Sequence, residues 1–205
     1  MTRRLRRPLF LLDNVSLQDR DLLGRLSQYF QTLEARVKEG QGWLIFSCDR
    51  QRATRITRFM LDRLAERRPF VSYYHVPWRD FALNAYMLKV ELRGAPEGEL
   101  VPPGEAPLDR TAVERDIAGR VTRDQFYQMR FVDLLLLSGL APAYRHEIEH
   151  LDAVMAERFA KRLPTVLLTP RAPHELIGDY LRFEGGDQAW SRLYAGMYGS
   201  SLIAL

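Results

Sequence analysis

The chain alternates short apolar runs with longer segments whose apolar residues recur every three or four positions. The run Leu134–Leu137 has the length and the continuous apolar character of a strand that is buried on both faces. In contrast, the spacing of Leu22, Leu26 and Phe30 places these residues on one face of a helix. The pattern predicts helices at Leu17–Val37, Asp49–Arg68, Phe81–Leu88, Thr111–Met129, Tyr144–Arg162, Glu175–Leu181 and Gln188–Tyr194, and strands at Trp43–Ser47, Phe70–Val76, Phe131–Leu137, Pro164–Thr169 and Ser200–Leu205.

Apolar strands that alternate with helices are typical of a parallel sheet covered by helices on both faces. We therefore predict an α/β fold with a parallel five-stranded sheet, in a single domain over residues 17–205 that follows a basic arm at residues 1–16. The segment 94–107 contains three glycines and four prolines, which predicts an exposed loop. Ligands of such sheets bind beyond the carboxyl ends of the strands, so the chemistry is expected at Cys48–Arg55, Ser138–Leu140 and Thr169–Arg171.

The first strand, loop and helix follow the order of a phosphate-binding P-loop. That loop needs glycines for close approach of the backbone, a lysine for the outer phosphates and a hydroxyl for magnesium. The residues present are Cys48, Asp49, Arg50, Gln51, Arg52, Ala53, Thr54 and Arg55. Thr54 stands at the lysine position and Arg55 at the hydroxyl position, and no glycine is left. We expect the side chains of this degenerate P-loop to occupy the space that phosphates would need.

The strand ends lack the other parts of a hydrolysis site. The strand Phe131–Leu137 would end in an acid that holds magnesium, but it ends in Ser138 and Gly139, a degenerate acidic motif. Asp133 lies toward the opposite end of that strand, and Pro170 follows the next strand where a polar residue would sense the outer phosphate. The sequence thus predicts no ATP hydrolysis by this chain, and no cofactor.

Three stretches in order, Tyr29–Ser47, Val132–Leu137 and Arg158–Leu176, resemble the AAA+ domain of the bacterial replicative helicase loaders and the related transposition ATPases. The resemblance spans about residues 17–205 and implies a P-loop NTPase-like AAA+ fold with degenerate nucleotide-binding motifs. Many AAA+ proteins carry a helical lid after this domain, and none is expected within this sequence.

The segment Ser191–Leu193 is similar to the part of the family that carries an arginine finger, which reaches into the nucleotide of a neighbouring subunit. The resemblance implies Arg192 as a candidate finger; a surface salt bridge or a helix cap is the alternative for the same residue. It also implies an active AAA+ ATPase or a replicative helicase as partner, in a hetero-oligomer.

A rival chemistry comes from His146-Glu147-Ile148-Glu149-His150, which fits the zinc-protease pattern of two histidines four residues apart with a glutamate base. On a helix, however, His146 and His150 lie almost opposite the apolar stripe that contains Leu151 and Met155, on a face expected to meet solvent. No third ligand follows at a suitable spacing. A zinc hydrolase that uses His146, Glu147 and His150 is therefore kept only as an alternative.

The charge distribution suggests an anionic partner. The net charge is +4, and only three of the 30 basic residues are lysine, which favours arginine contacts with phosphate or reflects a GC-rich genome. The candidates for DNA contact are Arg3, Arg4, Arg6 and Arg7 in the basic arm and Arg50, Arg52, Arg55 and Arg58 after the first strand. Their alternative is pairing with carboxylates of this chain or of a partner.

The composition excludes several classes of protein. A single cysteine, Cys48, rules out a disulfide framework. No apolar stretch is long enough for a membrane span or a signal peptide, so we expect a cytoplasmic protein. The sequence as a whole predicts a catalytically inactive AAA+-like adaptor or assembly subunit in DNA replication or a mobile-element process. An atypical nucleotide-binding protein is a second alternative to it.

Overall fold

The computed structural model describes residues 17–66, 71–94 and 110–205. These residues form the helices α1 Leu17–Gln31, α2 Leu33–Lys38, α3 Arg50–Glu66, α4 Trp78–Gly94, α5 Arg110–Phe131, α6 Arg145–Ala160, α7 Pro173–Leu181 and α8 Gly186–Ser200, and the strands β1 Gly42–Ile45, β2 Tyr73–Pro77, β3 Leu134–Ser138, β4 Thr165–Leu168 and β5 Ser201–Ala204. The predicted basic arm and most of the loop at 94–107 lie outside the described residues. Among the helices that are described, none is both long enough and apolar enough to cross a membrane.

The five strands form one sheet in the order β2-β3-β4-β1-β5, and every pair is parallel. In the middle of β1, Leu44 pairs with Leu167 of β4 and with Ile203 of β5. The first residue of β1 is a glycine, Gly42, because a Cβ at this position would overlap the backbone carbonyl of Thr165 on β4. The predicted parallel five-stranded α/β sheet is confirmed, and its carboxyl ends lie together at one edge.

Both faces of the sheet are covered, as predicted. Leu44 faces a core that includes Phe81 of α4 and Leu151 of α6, whereas the next residue, Ile45, faces a second core that includes Met60 of α3. This alternation explains why the strands are continuously apolar, since each face needs its own apolar residues. Burial of each large side chain contributes roughly 1.5–3 kcal/mol.

Two predicted helices differ in extent. The helix predicted at Leu17–Val37 is interrupted at Thr32, whose hydroxyl donates to the carbonyl of Gln28 at 3.4 Å and whose backbone leaves the helical region. A threonine hydroxyl competes with the backbone ladder in this way and favours a break. The helix predicted at Phe81–Leu88 is longer and begins at Trp78, whose ring stacks on Phe81 at a centroid distance of 4.8 Å.

Two further boundaries were wrong, the first because apolar residues do not distinguish a helix end from a strand. The strand predicted at Phe131–Leu137 begins only at Leu134, and Phe131 closes α5. The helical turn predicted at Gln188–Tyr194 is part of α8, a helix of 15 residues. Within this helix, Gly196 lies against the ring of Phe159 on α6.

A buried arginine fixes the opposite, amino-terminal edge of the sheet. Arg158 of α6 is fully buried, and its Nε donates to Thr165 Oγ1 at 2.8 Å. Its terminal nitrogens donate to the carbonyls of Met129, Val132 and Pro164 at 2.6–3.0 Å. One guanidinium thus joins the end of α5 and the starts of β3 and β4, and burial lowers its pKa to about 10.

Candidate functional site

The segment between β1 and α3 is a tight connection of four residues, Phe46–Asp49. The amide of Ser47 donates to the carbonyl of Arg171 at 3.0 Å, and the amide of Cys48 donates to the carbonyl of Thr169 at 2.8 Å. In a P-loop such amides point at phosphate oxygens. Here they are bonded to the segment that follows β4, so this loop has no free cradle of amides at Ser47 and Cys48.

Asp49 ends the connection and directly precedes α3. Its Oδ1 accepts from the amide of Arg52 at 2.7 Å, as an N-cap carboxylate does. Ser47 has a φ of 53°, in the left-handed region where a glycine would be unstrained. Cys48 is buried, and burial raises the pKa of its thiol to about 11, so the thiol is protonated at neutral pH.

Arg52, one of the candidates for DNA contact, is bound within the chain. Its Nε donates to Asp19 Oδ1 of α1 at 2.7 Å, and its Nη1 donates to the carbonyls of Phe46 and Ser47 at 3.2 Å. Arg55, a second candidate, donates to the other oxygen of Asp19 at 2.9 Å. Both arginines are therefore paired with a carboxylate of this chain, which was the alternative to DNA contact. Through Asp19 they fasten α3 to α1. No pattern in the sequence indicated Asp19 as their partner.

The carboxyl end of β3 carries a polar pair in place of an acid. The hydroxyl of Ser138 lies 3.0 Å from Nε2 of His75, on the neighbouring strand β2. Burial lowers the pKa of His75, although Asp80 acts in the opposite direction. Gly139 follows with a φ of 83° and turns the chain. Asp133 lies at the other end of β3, as expected, and accepts from the amide of Ser72 at 2.7 Å.

The end of β4 is also occupied by internal hydrogen bonds. Thr169 is fully buried, and its hydroxyl donates to the carbonyl of Leu140 at 2.7 Å and accepts from the amide of Arg171 at 3.1 Å. Arg171 in turn donates to the buried carboxylate of Asp179 on α7 at 2.8 Å. The side chains at this end of β4 therefore hold the neighbouring loops together, and Pro170 beside them is exposed.

A cleft of about 620 Å³ nevertheless opens beside the tight loop. The carboxyl edge of the sheet is therefore not closed by the β1–α3 connection. One wall is the outer face of α3, and the other is formed by the ends of β2 and β3. The residues that line it are Cys48, Arg50, Ala53, Thr54, Thr57, Arg58, Leu61, Asp62, His75, Pro77, Ser138, Gly139 and Pro170.

The expectation that His146 and His150 face solvent was wrong. His146 is buried between the rings of Tyr86 and Tyr144, at centroid distances of 6.0 and 5.6 Å. His150 packs on Phe126 of α5 at 5.5 Å. The reason is that α6 is covered on its second side by α4 and α5, which a helical pattern alone does not reveal.

The zinc alternative gains no support from this arrangement. Glu147, the expected base, accepts from the amides of Ala143 and Tyr144 at 2.7 and 3.3 Å and so caps the start of α6. Within the described part of the chain, no group of three or more histidine, cysteine or acidic residues could hold a metal ion.

Arg192, the candidate arginine finger, lies in the middle of α8. Its Nε and Nη2 donate to the two carboxylate oxygens of Asp152 on α6 at 3.0 and 2.6 Å. The side chain is 56% exposed, and Asp152 is mostly covered. The structure therefore places this residue in a bidentate surface ion pair, which was the alternative to the finger.

Comparison with known proteins gives likeness of fold alone. No protein-family model and no curated protein matches the chain. The AMPPCP-bound DnaA from Aquifex aeolicus is similar with a TM-score of 0.56 and 13% identity, over 93% of this chain and 47% of that one. A crystal structure of a DNA replication initiation factor has the same TM-score and identity, over 95% and 48%. The DnaC helicase loader has a TM-score of 0.55 and 13% identity, over 92% and 90%.

This chain thus spans about half the length of the DnaA and initiation-factor chains and nearly all of the loader. Its sheet is the five-stranded parallel sheet of these relatives, with helices on both faces. The resemblance to the AAA+ helicase loaders is confirmed as a likeness of fold. We conclude that the chain shares its fold with DnaA and the DnaC helicase loader.

Proposed function

We propose that this chain is a AAA+-fold adaptor, or assembly subunit, in DNA replication or a mobile-element process, and that it works by binding and does not hydrolyse ATP. Its partner in this proposal is an active AAA+ ATPase or a replicative helicase, with which it forms a hetero-oligomer. The proposal needs no bound cofactor.

The observation that carries the proposal is the pairing of the Ser47 and Cys48 amides with the carbonyls of Arg171 and Thr169. To hold a phosphate, this loop would have to exchange both hydrogen bonds for new ones. Each backbone hydrogen bond contributes about 1 kcal/mol net, and a buried group left without a partner costs about 1–3 kcal/mol. The guanidinium of Arg52 donates two further hydrogen bonds to the carbonyls of this loop. The folded state therefore favours the loop with its internal hydrogen bonds over a loop that binds phosphate.

The end of β3 supports the same proposal. Ser138 and Gly139 supply no carboxylate for magnesium, and the hydroxyl of Ser138 is bonded to His75. Magnesium in phosphoryl transfer is held mainly by hard oxygen ligands, usually with a carboxylate among them. Without that ligand and without a P-loop lysine, neither a magnesium ion held at the end of β3 nor a lysine would balance the charge that develops on a transferring phosphate.

The choice of partner rests on the likeness to the DnaC helicase loader, whose length this chain nearly matches. Binding would use the surface of the fold and not its nucleotide chemistry. The chain should therefore bind its partner equally well with and without ATP, which separates an adaptor from an ATP-gated loader.

The test is to mix the purified chain with the replicative helicase of its own host and to measure the mass of the complex by light scattering after gel filtration. We expect a stoichiometric complex of unchanged affinity with and without ATP and magnesium. Thr54→Trp is the matched variant, because Thr54 is exposed on α3 and lines the cleft, and it should leave the complex intact. A complex that forms only with ATP and is lost in Thr54→Trp would contradict the proposal.

A further inference from the structure

The cleft at the carboxyl edge of the sheet has chemistry that the adaptor function does not use. On the α3 wall, Arg50, Thr54 and Arg58 follow one another at intervals of four residues. They therefore lie on one face of the helix, with successive Cα atoms about 6 Å apart along its axis. The cleft thus presents two guanidinium groups along a single wall.

These two arginines differ from their neighbours on α3. Arg52 and Arg55 are paired with Asp19, whereas neither Arg50 nor Arg58 forms an ion pair with the residues that the structure describes, and both are exposed. Asp62 also lines the cleft, so the wall carries two positive charges and one negative charge. The charge available to a ligand is therefore positive.

The opposite wall supplies a fixed polar pair. Ser138 and His75 are bonded to each other at 3.0 Å, and both line the cleft. A serine hydroxyl and an imidazole each keep capacity for a further hydrogen bond when they are bonded to one another. They can accordingly contact a ligand oxygen without leaving a buried group unpaired.

Between these polar groups the cleft is apolar. Ala53, Leu61, Pro77 and Pro170 contribute aliphatic surface. Sites for small molecules have this construction, a volume of about 300–1,000 Å³ that is mainly apolar with a few polar groups for orientation. The volume of about 620 Å³ lies within that range.

We propose that this cleft binds a phosphate monoester with an apolar body, with Arg50 and Arg58 on the phosphate and the apolar residues against the rest of the molecule. A phosphate monoester carries a charge of about −1.5 to −2 at pH 7, which two guanidinium groups match. Arginine forks also fit the oxygens of phosphate in pairs. The proposal uses side chains of α3, β2 and β3 and needs no amide of the tight loop.

The experiment is calorimetric titration of the full chain with phenyl phosphate and with AMP, each against its parent compound without phosphate, phenol and adenosine. We expect at least one ester to bind and its parent compound to bind about tenfold more weakly or worse, the loss expected for a charge-assisted contact. Arg50→Gln and Arg58→Gln should each weaken the ester about tenfold. Thr54→Trp should remove binding by filling the cleft.

Arg162→Gln is the matched control, since Arg162 is exposed and precedes β4, at the opposite edge of the sheet. The proposal is overturned if neither ester binds, or if both glutamine variants bind it as the unchanged chain does. If neither ester binds but a single-stranded oligonucleotide does, and its binding depends on Arg50 and Arg58, the two arginines contact nucleic acid and the proposal is overturned. None of these failures would affect the adaptor proposal, whose measurement is the complex with the helicase.

Discussion

The guanidinium of Arg52 and the carboxylate of Asp19 form a covered ion pair, with Nε 2.7 Å from Oδ1 and side chains that are 12% and 8% exposed. Arg52 comes from the degenerate P-loop and Asp19 from the first described helix. Through this pair, and through the contacts of Arg52 with the carbonyls of Phe46 and Ser47, the segment that binds phosphate in other proteins becomes part of the scaffold.

Asp19→Ala should lower the free energy of unfolding by about 3 kcal/mol, because it leaves a largely covered arginine without its carboxylate. Asp21→Ala is the control, since Asp21 is exposed on the same helix, and a change within about 0.5 kcal/mol is expected there. Urea unfolding measures both values. Equal effects of the two variants would show that the pair does not fasten α1 to α3.

Two glycines of α8 should respond in opposite directions to alanine. A Cβ at Gly196 would overlap the ring of Phe159 on α6, so Gly196→Ala should destabilise the protein by about 1–3 kcal/mol. A Cβ at Gly199 would meet no described atom within 4 Å, so Gly199→Ala should stabilise the helix by roughly 0.5–1 kcal/mol. Thermal unfolding distinguishes them, and the same sign for both would contradict the packing of α8 on α6.

Stability should fall as the pH is lowered below neutrality, because burial lowers the pKa of His146 and of His150. Lys89 lowers the pKa of His146 further, and His146 and Arg130 both lower the pKa of His150. In the opposite direction, Glu147 raises the pKa of His146, and Glu149 raises that of both histidines. The unfolded chain then binds protons more strongly than the folded chain, so the free energy of unfolding decreases once the pH passes below about 6.5.

Replacement of these histidines by groups that do not titrate should weaken this dependence. His146→Phe and His150→Gln should each give a smaller loss of stability between pH 7.5 and pH 5.5 than the unchanged chain, measured by urea unfolding at both pH values. His174→Gln is the control, because His174 is exposed at the start of α7. An unchanged pH dependence in both test variants would mean that these imidazoles are not the groups responsible.

Arg192 should act on this chain and not on the ATP of a neighbour, since its Nε and Nη2 both donate to Asp152. Arg192→Ala is therefore expected to leave the ATPase rate of an active AAA+ partner unchanged. Asp152→Asn is the comparison, because it weakens the ion pair while it keeps the arginine. A several-fold fall of the partner's rate in Arg192→Ala, but not in Asp152→Asn, would instead identify an arginine finger.

The sequence predicted the sheet well because its strands are buried on both faces and read as continuous apolar runs, as Leu134–Leu137 does. Helix boundaries were less certain. Thr32 interrupts a helix whose apolar residues are periodic on both sides of it. Gly196 stands within α8 because the ring of Phe159 occupies the place of a Cβ. Contacts of this kind are made in three dimensions and leave no local signal.

At the site, too, the residue types could be predicted from the sequence, whereas the tertiary contacts could not. The missing residues of the P-loop could be read directly, because the chemistry at each position depends on the residue type. The partners of Arg52 and the surroundings of His146 could not, since Asp19 lies 33 residues away and the side of α6 that looked solvent-exposed is covered by α4 and α5. Likewise, no sequence pattern indicated that His75 and Ser138 would meet across two strands.

The most direct test of the central proposal is the release of phosphate from ATP and magnesium by the purified chain, alone and with the replicative helicase. We predict no turnover by the chain alone and no turnover in the mixture beyond that of the helicase. Thr54→Trp distinguishes a contaminating ATPase, which this substitution cannot affect. Magnesium-dependent release that rises in proportion to the chain and disappears in Thr54→Trp would contradict the account.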